Sequence, residues 1–234
     1  MDVRCVISGT GSTILILHGW GSSADSWAKA QEMLARKEFR VIVLDLPGFG
    51  KTAAPSTVWG VAEYSEFVRQ CMQELDVKKC IVVGHSFGGQ TAIQLAVTHP
   101  ENIEKLILMA AAGIRHELGT KAKVLAGVAG VTPAYMKRIA GVLTGRSDYG
   151  RSKGIMKDIM RKVIREDLSE DLSKIKTPTL IIWGDKDRET PVQDAYTMHG
   201  LILGSKLEIF PGIGHRIRNE APEKLIDTIL GFLI

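Results

Sequence analysis

The stretch VGHSFGG, residues Val83 to Gly89, places one serine among small residues directly after the apolar run Cys80 to Val83. It satisfies the pattern G-x-S-x-G with Ser86 at the centre, and the helical pattern of Gln90 to His99 follows. A turn this sharp between a strand and a helix leaves no room for side chains at its flanking positions, and it raises the serine hydroxyl above the sheet edge. The N–H groups at the start of the helix also favour negative charge beside the serine. The stretch therefore marks Ser86 as a candidate nucleophile.

Short β-branched, apolar runs alternate with helical patterns over most of the chain, which favours βαβ units and a mostly parallel sheet. The runs are continuously apolar, as in strands buried on both faces, so we expect helices on both sides of the sheet. The predicted strands are Arg4 to Ser8, Thr13 to Leu17, Arg40 to Leu44, Cys80 to Val83, Lys105 to Met109, Thr179 to Trp183 and Lys206 to Phe210. The predicted helices are Asp25 to Ala35, Val61 to Leu75, Gln90 to His99, Pro191 to His199 and Glu220 to Phe232.

The alternation stops between residues 113 and 176, where no strand-like run is present. Two segments of this interval, Tyr135 to Leu143 and Ile155 to Ile164, place apolar residues on one helical face. The sequence therefore predicts a core formed by residues 1–112 and 177–234, with a helical insertion at 113–176. The apolar residues of the insertion either pack onto the core or, as a group, cover a pocket.

The length and composition are typical of one soluble α/β domain, with 234 residues of which 45% are hydrophobic and 24% are charged. The N-terminus lacks a basic segment leading into an apolar one, and its run Ile14 to Leu17 is far shorter than the roughly 20 residues that cross a bilayer. We therefore expect a cytoplasmic protein without a membrane span. Cys5, Cys71 and Cys80 are widely spaced, which favours reduced thiols over a disulfide framework or a metal site.

The segment GFGKT, residues Gly48 to Thr52, resembles the end of a phosphate-binding loop. The full pattern G-x-x-x-x-G-K-[ST] requires glycine at position 45, where this chain has Asp45. The segment is interpreted instead as a turn after a strand, so no nucleotide site is predicted. The chain also lacks a recognisable nucleic-acid-binding motif, and no cofactor is expected.

A serine hydroxyl is a weak nucleophile until a base takes its proton, and a further group must orient that base. An acid and then a histidine are therefore expected after Ser86. The segment WGDKD follows one predicted strand and offers Asp185 and Asp187, and the segment GIGH follows the next strand and offers His215. Both segments come at the carboxyl ends of strands, where open α/β sheets form their sites.

The negatively charged intermediate of acyl transfer also needs hydrogen-bond donors, each contributing roughly 2.7–4 kcal/mol. The segment LHGWGSS, residues Leu17 to Ser23, ends a predicted strand in a glycine-rich turn. The backbone N–H groups of Trp20 and Phe87 are the candidate donors. Of the nearby histidines, His18 is interpreted as a residue that orders the loop, and His85 is expected to point away from the nucleophile.

Five segments, LHGWGSS, VLDLPGFGKT, VGHSFGG, WGDKD and GIGH, occur in the order typical of α/β-hydrolases, and the chain resembles that family over nearly its whole length outside the insertion. The resemblance implies the α/β-hydrolase fold, with the insertion at 113–176 as its lid. It also implies that Ser86 is the nucleophile, His215 the base, Asp187 the orienting acid, and the N–H groups of Trp20 and Phe87 the oxyanion donors. LHGWGSS with DLPGFG is similar to carboxylesterases of the pimeloyl-acyl-carrier-protein methyl ester esterase type.

The resemblance implies a serine hydrolase that cleaves carboxylic esters through an acyl-serine intermediate. The same segments occur in acyltransferases, cofactor-free haloperoxidases or perhydrolases, and C–C bond hydrolases, so these alternatives stay open. A receptor-like, ligand-binding protein with a slow triad is a further alternative. Apolar residues of the insertion suggest an apolar acyl pocket, namely Tyr135, Met136, Ile139, Met156, Ile159 and Met160.

Charge is unevenly distributed along the chain. Residues 113–176 carry a formal charge of +7, whereas the rest of the chain carries −3. These charges form either the solvated faces of amphipathic helices or a surface that attracts an anionic substrate or an acidic carrier protein. The predicted partner is a small-molecule ester in both cases, with no nucleic acid.

Overall fold

The computed structural model of the protein describes residues 2–115 and 154–233. Seven strands are present in these residues: β1 (Cys5–Ser8), β2 (Ser12–Leu17), β3 (Phe39–Leu44), β4 (Cys80–His85), β5 (Ile103–Met109), β6 (Thr179–Gly184) and β7 (Lys206–Phe210). They form one sheet in the spatial order β1-β3-β2-β4-β5-β6-β7. Every pairing is parallel except that of β1 with β3. The predicted mostly parallel sheet is therefore confirmed.

The central strands are buried because their side chains are apolar on both faces. All six residues of β4 and of β6 are buried, as are the last four of β2 and β3. At one edge, β1 is a single short strand that runs antiparallel to β3, with Cys5 opposite Leu44 and Ser8 opposite Val41. β1 therefore forms one edge of the sheet, beside β3.

The helices of the described residues follow in chain order as α1 (Ala28–Ala35), α2 (Val61–Glu74), α3 (Phe87–Thr98), α4 (Ile155–Val163), α5 (Ser169–Leu172), α6 (Val192–Leu201), α7 (Ile217–Glu220) and α8 (Pro222–Leu233). Short 3-10 helices lie at Ala24–Trp27 and Pro100–Asn102. The first of these covers the start of the helix that the sequence predicts from Asp25. Helix α1 packs against β3 and α8, while α3 packs against β4 and α2, so helices flank the sheet. None of them is long and apolar enough to span a bilayer.

The insertion is described only in part. Its predicted helix from Ile155 to Ile164 is present as α4, and a short helix, α5, follows before β6. Met156 of α4 lies directly against Gly48, in the turn after β3, which places α4 beside the carboxyl ends of the strands. The predicted helix from Tyr135 to Leu143 lies outside the described residues.

Asp45 explains why the segment GFGKT is a turn and not a phosphate-binding loop. Its buried carboxylate accepts hydrogen bonds from the backbone N–H groups of Ala24 at 2.6 Å and Lys51 at 2.9 Å, and Arg4 contacts the same carboxylate. A side chain at Gly50 would overlap this carboxylate. The turn is therefore organised around a negative charge that would repel a phosphate.

Candidate active site

Ser86 is the single residue that joins β4 to α3. Its backbone has φ 54° and ψ −116°, a conformation on the left-handed side that costs a non-glycine residue about 1–3 kcal/mol. Two hydrogen bonds to the end of β5 and the chain that follows it hold Ser86 there: its N–H donates to the Met109 carbonyl at 3.1 Å, and its carbonyl accepts from the Ala112 N–H at 3.0 Å. The backbone strain therefore lies at Ser86, the residue that the sequence predicts to be the nucleophile.

The two glycines of this turn are required by close approach of the backbone. A Cβ at Gly84 would lie 2.6 Å from the carbonyl oxygen of Gly88, and a Cβ at Gly88 would overlap the carbonyl oxygen of Leu17 in β2. Backbone atoms of a strand and a helix cannot move apart as a flexible side chain can. The sharpness of the turn thus depends on both glycines.

We expect Gly88→Ala to lower the free energy of unfolding by about 1–3 kcal/mol, because α3 must move away from β2 to make room for the methyl group. The matched control is Gly231→Ala in α8, where an added Cβ meets open space and should stabilise the helix by about 0.5–1 kcal/mol. Chemical denaturation of both variants measures the difference. An unaltered stability for Gly88→Ala would contradict the close approach of α3 and β2.

Asp187 and His215 meet at the carboxyl ends of β6 and β7. The Nδ1 atom of His215 lies 2.7 Å from Oδ2 of Asp187, whose side chain is fully buried. The other carboxylate oxygen, Oδ1, accepts hydrogen bonds from the N–H groups of Glu189 at 2.7 Å and Thr190 at 2.9 Å. The Thr190 hydroxyl also donates to Oδ2 at 2.9 Å. Four donors thus fix the orientation of this carboxylate.

These hydrogen bonds decide the charge of Asp187. Burial by itself raises the pKa of the carboxyl group, but the hydrogen bonds and charge of His215 and the N–H groups of Thr190 and Glu189 outweigh it. The pKa of Asp187 is therefore held below its ordinary value. A charged carboxylate at this position makes Nδ1 of His215 the protonated nitrogen, which leaves Nε2 as the acceptor.

Asp185, the other candidate acid, has a different partner. Its Oδ1 accepts a hydrogen bond from the N–H of Gly212 at 2.6 Å, in the turn that follows β7. Its side chain is about a third exposed and lies 3.6 Å from Nζ of Lys186. Asp185 therefore connects the loop after β6 to the loop after β7, while Asp187 contacts His215.

The loop after β2 is held by His18, which is buried. The N–H of Leu46 donates to Nε2 of His18 at 3.1 Å, so Nδ1 carries the proton and donates to the carbonyl of Gly19 at 2.8 Å. Burial lowers the pKa of His18 to about 4, which keeps the ring neutral and this pattern intact. The C=O and N–H of a trans peptide point in opposite directions, so this bond also fixes the direction of the Trp20 N–H.

An aromatic cluster packs behind Ser86 and this loop. The Trp20 ring lies edge-on to Phe49 at 4.8 Å and to Phe87 at 5.2 Å, and Phe87 also contacts Tyr64 at 4.9 Å. Phe87 is the first residue of α3, so its backbone N–H has no acceptor within the helix. The packing of Trp20 and Phe87 therefore positions the two backbone donors that the sequence predicts.

Ser86 and His215 line the same cavity, which has a volume of about 250 Å³. The structure thus brings together all five residues predicted for the site, with Trp20 in the cavity wall and Phe87 and Asp187 in direct contact with wall residues. The lining residues are Gly19, Trp20, Gly21, Ser22, Ser23, Ser26, His85, Ser86, Glu189, His215, Arg216 and Arg218. This wall is more polar than the sequence suggests, because it contains three further serines, a glutamate and two arginines.

His85 lies beside His215, contrary to the expectation that it points away from the site. Its ring is 4.8 Å from the His215 ring, and its Nε2 donates to the backbone carbonyl of His215 at 3.0 Å. Burial holds the pKa of His85 well below its ordinary value, so the ring is neutral. Its Nδ1 atom is buried without a hydrogen-bond partner among the described residues. His85 therefore supports the backbone of the histidine loop, a role that its position in the sequence does not indicate.

Three of the apolar residues suggested for an acyl pocket, Met156, Ile159 and Met160, lie in the described part of the insertion. Ile159 is buried within the core cluster and Met160 is buried as well, while Met156 contacts the turn after β3. None of the three lines the cavity around Ser86. The other residues suggested for that pocket, Tyr135, Met136 and Ile139, lie outside the described residues.

Metal ligands do not gather in the part of the chain that the structure describes. No three side chains of His, Cys, Asp or Glu there lie close enough together to hold a metal ion. Cys5, Cys71 and Cys80 are all unpaired, and burial raises the pKa of Cys71 and Cys80 to about 12. These two thiols are therefore inert core residues.

Known proteins are similar to this chain over most of its length. The family model of the alpha/beta hydrolase fold matches residues 12–141. An uncharacterized protein of Mycobacterium tuberculosis is 30% identical, with 97% of this chain and 76% of that protein covered. The 2-hydroxy-6-oxo-6-(2'-aminophenyl)hexa-2,4-dienoic acid hydrolase of Metapseudomonas resinovorans is 29% identical, with 100% and 88% covered. An esterase structure from Exiguobacterium antarcticum has a TM-score of 0.80 at 24% identity, covering 99% of this chain and 95% of that one, which shows a shared fold.

Proposed function

Because this chain belongs to the α/β-hydrolase family, we propose that it is a serine hydrolase that cleaves carboxylic esters through an acyl-serine intermediate. One observation carries the proposal: strained Ser86 lines the same cavity as His215, whose Nδ1 lies 2.7 Å from the buried carboxylate of Asp187. A serine, a histidine and a carboxylate in these relations are the parts of a nucleophilic triad. The proposed roles are those that the sequence predicts.

In the first half of the reaction, the Ser86 hydroxyl attacks the ester carbonyl carbon while Nε2 of His215 takes its proton. Asp187 keeps the proton on Nδ1 and stabilises the imidazolium that forms. The tetrahedral intermediate collapses when the alcohol leaves with the proton from His215, and the acyl group stays on Ser86. Water then repeats the same steps and releases the acid.

The backbone N–H groups of Trp20 and Phe87 are the proposed donors to the oxyanion. The Phe87 N–H is at the first position of α3, where the helix dipole also favours negative charge. The Trp20 N–H is directed by the hydrogen bond from His18 to the Gly19 carbonyl. Since these donors are part of the folded backbone, they need no rearrangement when the charge develops.

We also propose that residues 113–176 form a lid over the core formed by residues 1–112 and 177–234. Two contacts support a close connection between them. The Glu166 carboxylate accepts a hydrogen bond from the Val61 N–H at 2.9 Å, and Lys162 lies 3.5 Å from Glu63. Both contacts join the described end of the insertion to the start of α2. A small-molecule ester is the proposed substrate, and an acidic carrier protein as partner stays a prediction of the sequence.

Labelling with a fluorophosphonate tests the proposal, because this reagent phosphonylates serines that have an activating base. We expect one adduct per chain, located at Ser86 by peptide mass spectrometry, and none in the Ser86→Ala variant. Hydrolysis of p-nitrophenyl esters from acetate to palmitate should parallel the labelling and give the acyl length. A wild-type protein that hydrolyses none of these esters and resists the reagent would contradict the proposal.

Hydrolysis of a C–C bond is the second candidate, favoured by the similarity to the Metapseudomonas resinovorans hydrolase over 88% of its length. The name of that relative indicates a 2-hydroxy-6-oxo-dienoic acid as its substrate. Incubation of this protein with such a compound, followed by chromatographic detection of two acid products, decides between the candidates. A kcat/KM far above that for the best p-nitrophenyl ester would favour C–C cleavage.

A further inference from the structure

Arg218 is a half-buried cation in the wall of the cavity that holds Ser86 and His215. It is the second residue of α7, which begins directly after the histidine loop. Its Nε donates to the carbonyl of Ser26 at 3.0 Å, and its guanidinium lies over the buried Trp27 ring at 5.2 Å. These two contacts fix the position of the guanidinium, and none of the described residues forms a hydrogen bond with its two Nη atoms.

Within residues 2–115 and 154–233, no carboxylate forms an ion pair with Arg218. Other arginines of the described chain are paired: Arg4 with Asp25 and Asp45, and Arg69 with Glu66. Burial lowers the pKa of Arg218, and the charge of Arg216 adds to this effect. A partly desolvated charge without a counter-charge is unfavourable until an anion binds to it.

The charges of the cavity wall favour an anion on the Arg218 side. The residues of the wall include two arginines, Arg216 and Arg218, and one glutamate, Glu189. Glu189 lies on the His215 side, with its Oε2 atom 3.6 Å from Nε2 of the histidine. Because that carboxylate repels an anion close to His215, a negative group is more favourable beside the Arg218 guanidinium than beside the histidine.

Hydroxyl groups complete the environment on this side. Ser22, Ser23 and Ser26 line the same cavity, and Ser26 is also the residue whose carbonyl holds Arg218. Hydroxyl donors beside a guanidinium suit a carboxylate or a phosphate, whose several oxygens accept more than one hydrogen bond. The Ser22 and Ser26 hydroxyls bond each other, and Ser26 donates to the Ser23 carbonyl, so the Arg218 guanidinium is the group that an uncharged alkyl chain would leave without a counter-charge.

We propose that Arg218 binds an anionic group of the substrate, so that the preferred esters carry a carboxylate or phosphate in their acyl or alcohol part. The inference rests on the proposed hydrolysis at Ser86 and names the substrate class that this activity leaves open. Arg218 determines specificity, while Ser86, His215 and Asp187 perform the reaction.

Two pairs of esters test the proposal, each matched in size and differing in charge. Mono-p-nitrophenyl glutarate against p-nitrophenyl valerate places the charge in the acyl part, and 4-acetoxybenzoate against 4-acetoxybenzamide places it in the alcohol part. We expect Arg218→Gln to lower kcat/KM for the charged ester of at least one pair by about tenfold to a hundredfold, the loss of one charged hydrogen bond or pair. The neutral ester should change by less than threefold, and Arg218→Lys should restore part of the loss.

Arg36→Gln is the matched control, because it removes the same charge from an exposed residue directly after α1, away from the cavity. In each pair, this variant should leave the ratio of kcat/KM for the charged ester to kcat/KM for the neutral ester unchanged. Equal losses for the charged and neutral esters in Arg218→Gln, or no loss for either, would overturn the inference. If Arg218→Gln fails to fold, the wild type tests the inference by itself. Its kcat/KM must be higher for the charged ester than for the neutral ester in at least one pair, and a preference for the neutral ester in both pairs would overturn the inference.

The failure of the proposed function has a different outcome. A wild type that hydrolyses none of the four esters contradicts hydrolysis at Ser86, and calorimetric titration of glutarate and 4-hydroxybenzoate then tests Arg218 directly. Binding to the wild type that is lost in Arg218→Gln supports the anion site. Binding to neither protein, or equal binding to both, overturns it.

Discussion

Replacing Ser86 with alanine should lower kcat for p-nitrophenyl butyrate by about 10⁵- to 10⁶-fold while the protein stays folded. Alanine keeps the Cβ and the backbone of the turn, so only the attacking oxygen is lost. The proposed oxyanion donors of Trp20 and Phe87 remain, and they should leave a small rate above that in water alone. Steady-state kinetics with circular dichroism as a folding check measures both effects.

Two companion variants sharpen this test. Ser86→Ala with His215→Ala should be no slower than either single variant, because the residues of a triad act as a unit. Ser86→Gly should be inactive as well, but more stable than Ser86→Ala by about 1 kcal/mol, because glycine relieves the strain at φ 54°. Near-native turnover in Ser86→Ala would show that the nucleophile is another residue.

Asp187→Asn should lower kcat by about 10⁴-fold with little change in KM. The asparagine amide can donate to Nδ1 of His215, which places the proton on Nε2, so the ring can no longer accept the proton of Ser86. The N–H groups of Glu189 and Thr190 can still bind the remaining oxygen, so the geometry should survive. The fall in kcat would therefore result from the wrong tautomer of His215 and not from a change in the geometry of the site.

Asp185→Asn is the matched control, two residues away in the same turn. It should change kcat by less than about threefold, because Asp185 binds the Gly212 N–H and an asparagine oxygen can accept the same bond. A modest fall in Tm is expected, since a hydrogen bond to a charged group is stronger than a neutral one. If Asp185→Asn shows the larger loss of activity, Asp185 orients the base and Asp187 supports the turn.

The sheet and the turn at Ser86 can be predicted from the sequence alone, because both depend on short-range chemistry. Continuous apolar runs such as Cys80 to Val83 specify buried strands whatever the rest of the chain does. Glycine at positions 84 and 88 indicates that neighbouring backbone leaves no room for a side chain there. In the structure, an added Cβ at either position would lie too close to backbone carbonyl oxygens. The order of serine, acid and histidine along the chain also follows from the strands that carry them.

The directions of side chains and the contacts between distant segments are set by tertiary packing, so the sequence does not predict them. Asp185 and Asp187 follow the same strand, and hydrogen bonds from Thr190 and His215 on one side and Gly212 on the other give each a different partner. His85 was expected to point away from the nucleophile, yet it supports the His215 loop 130 residues later in the chain. Arg218 lies in a charged segment of the sequence, and its place in the wall of the cavity that Ser86 lines follows from its contacts with Ser26 and Trp27. Local patterns carry no information on such pairings, because their geometry is set by how the strands and helices pack together.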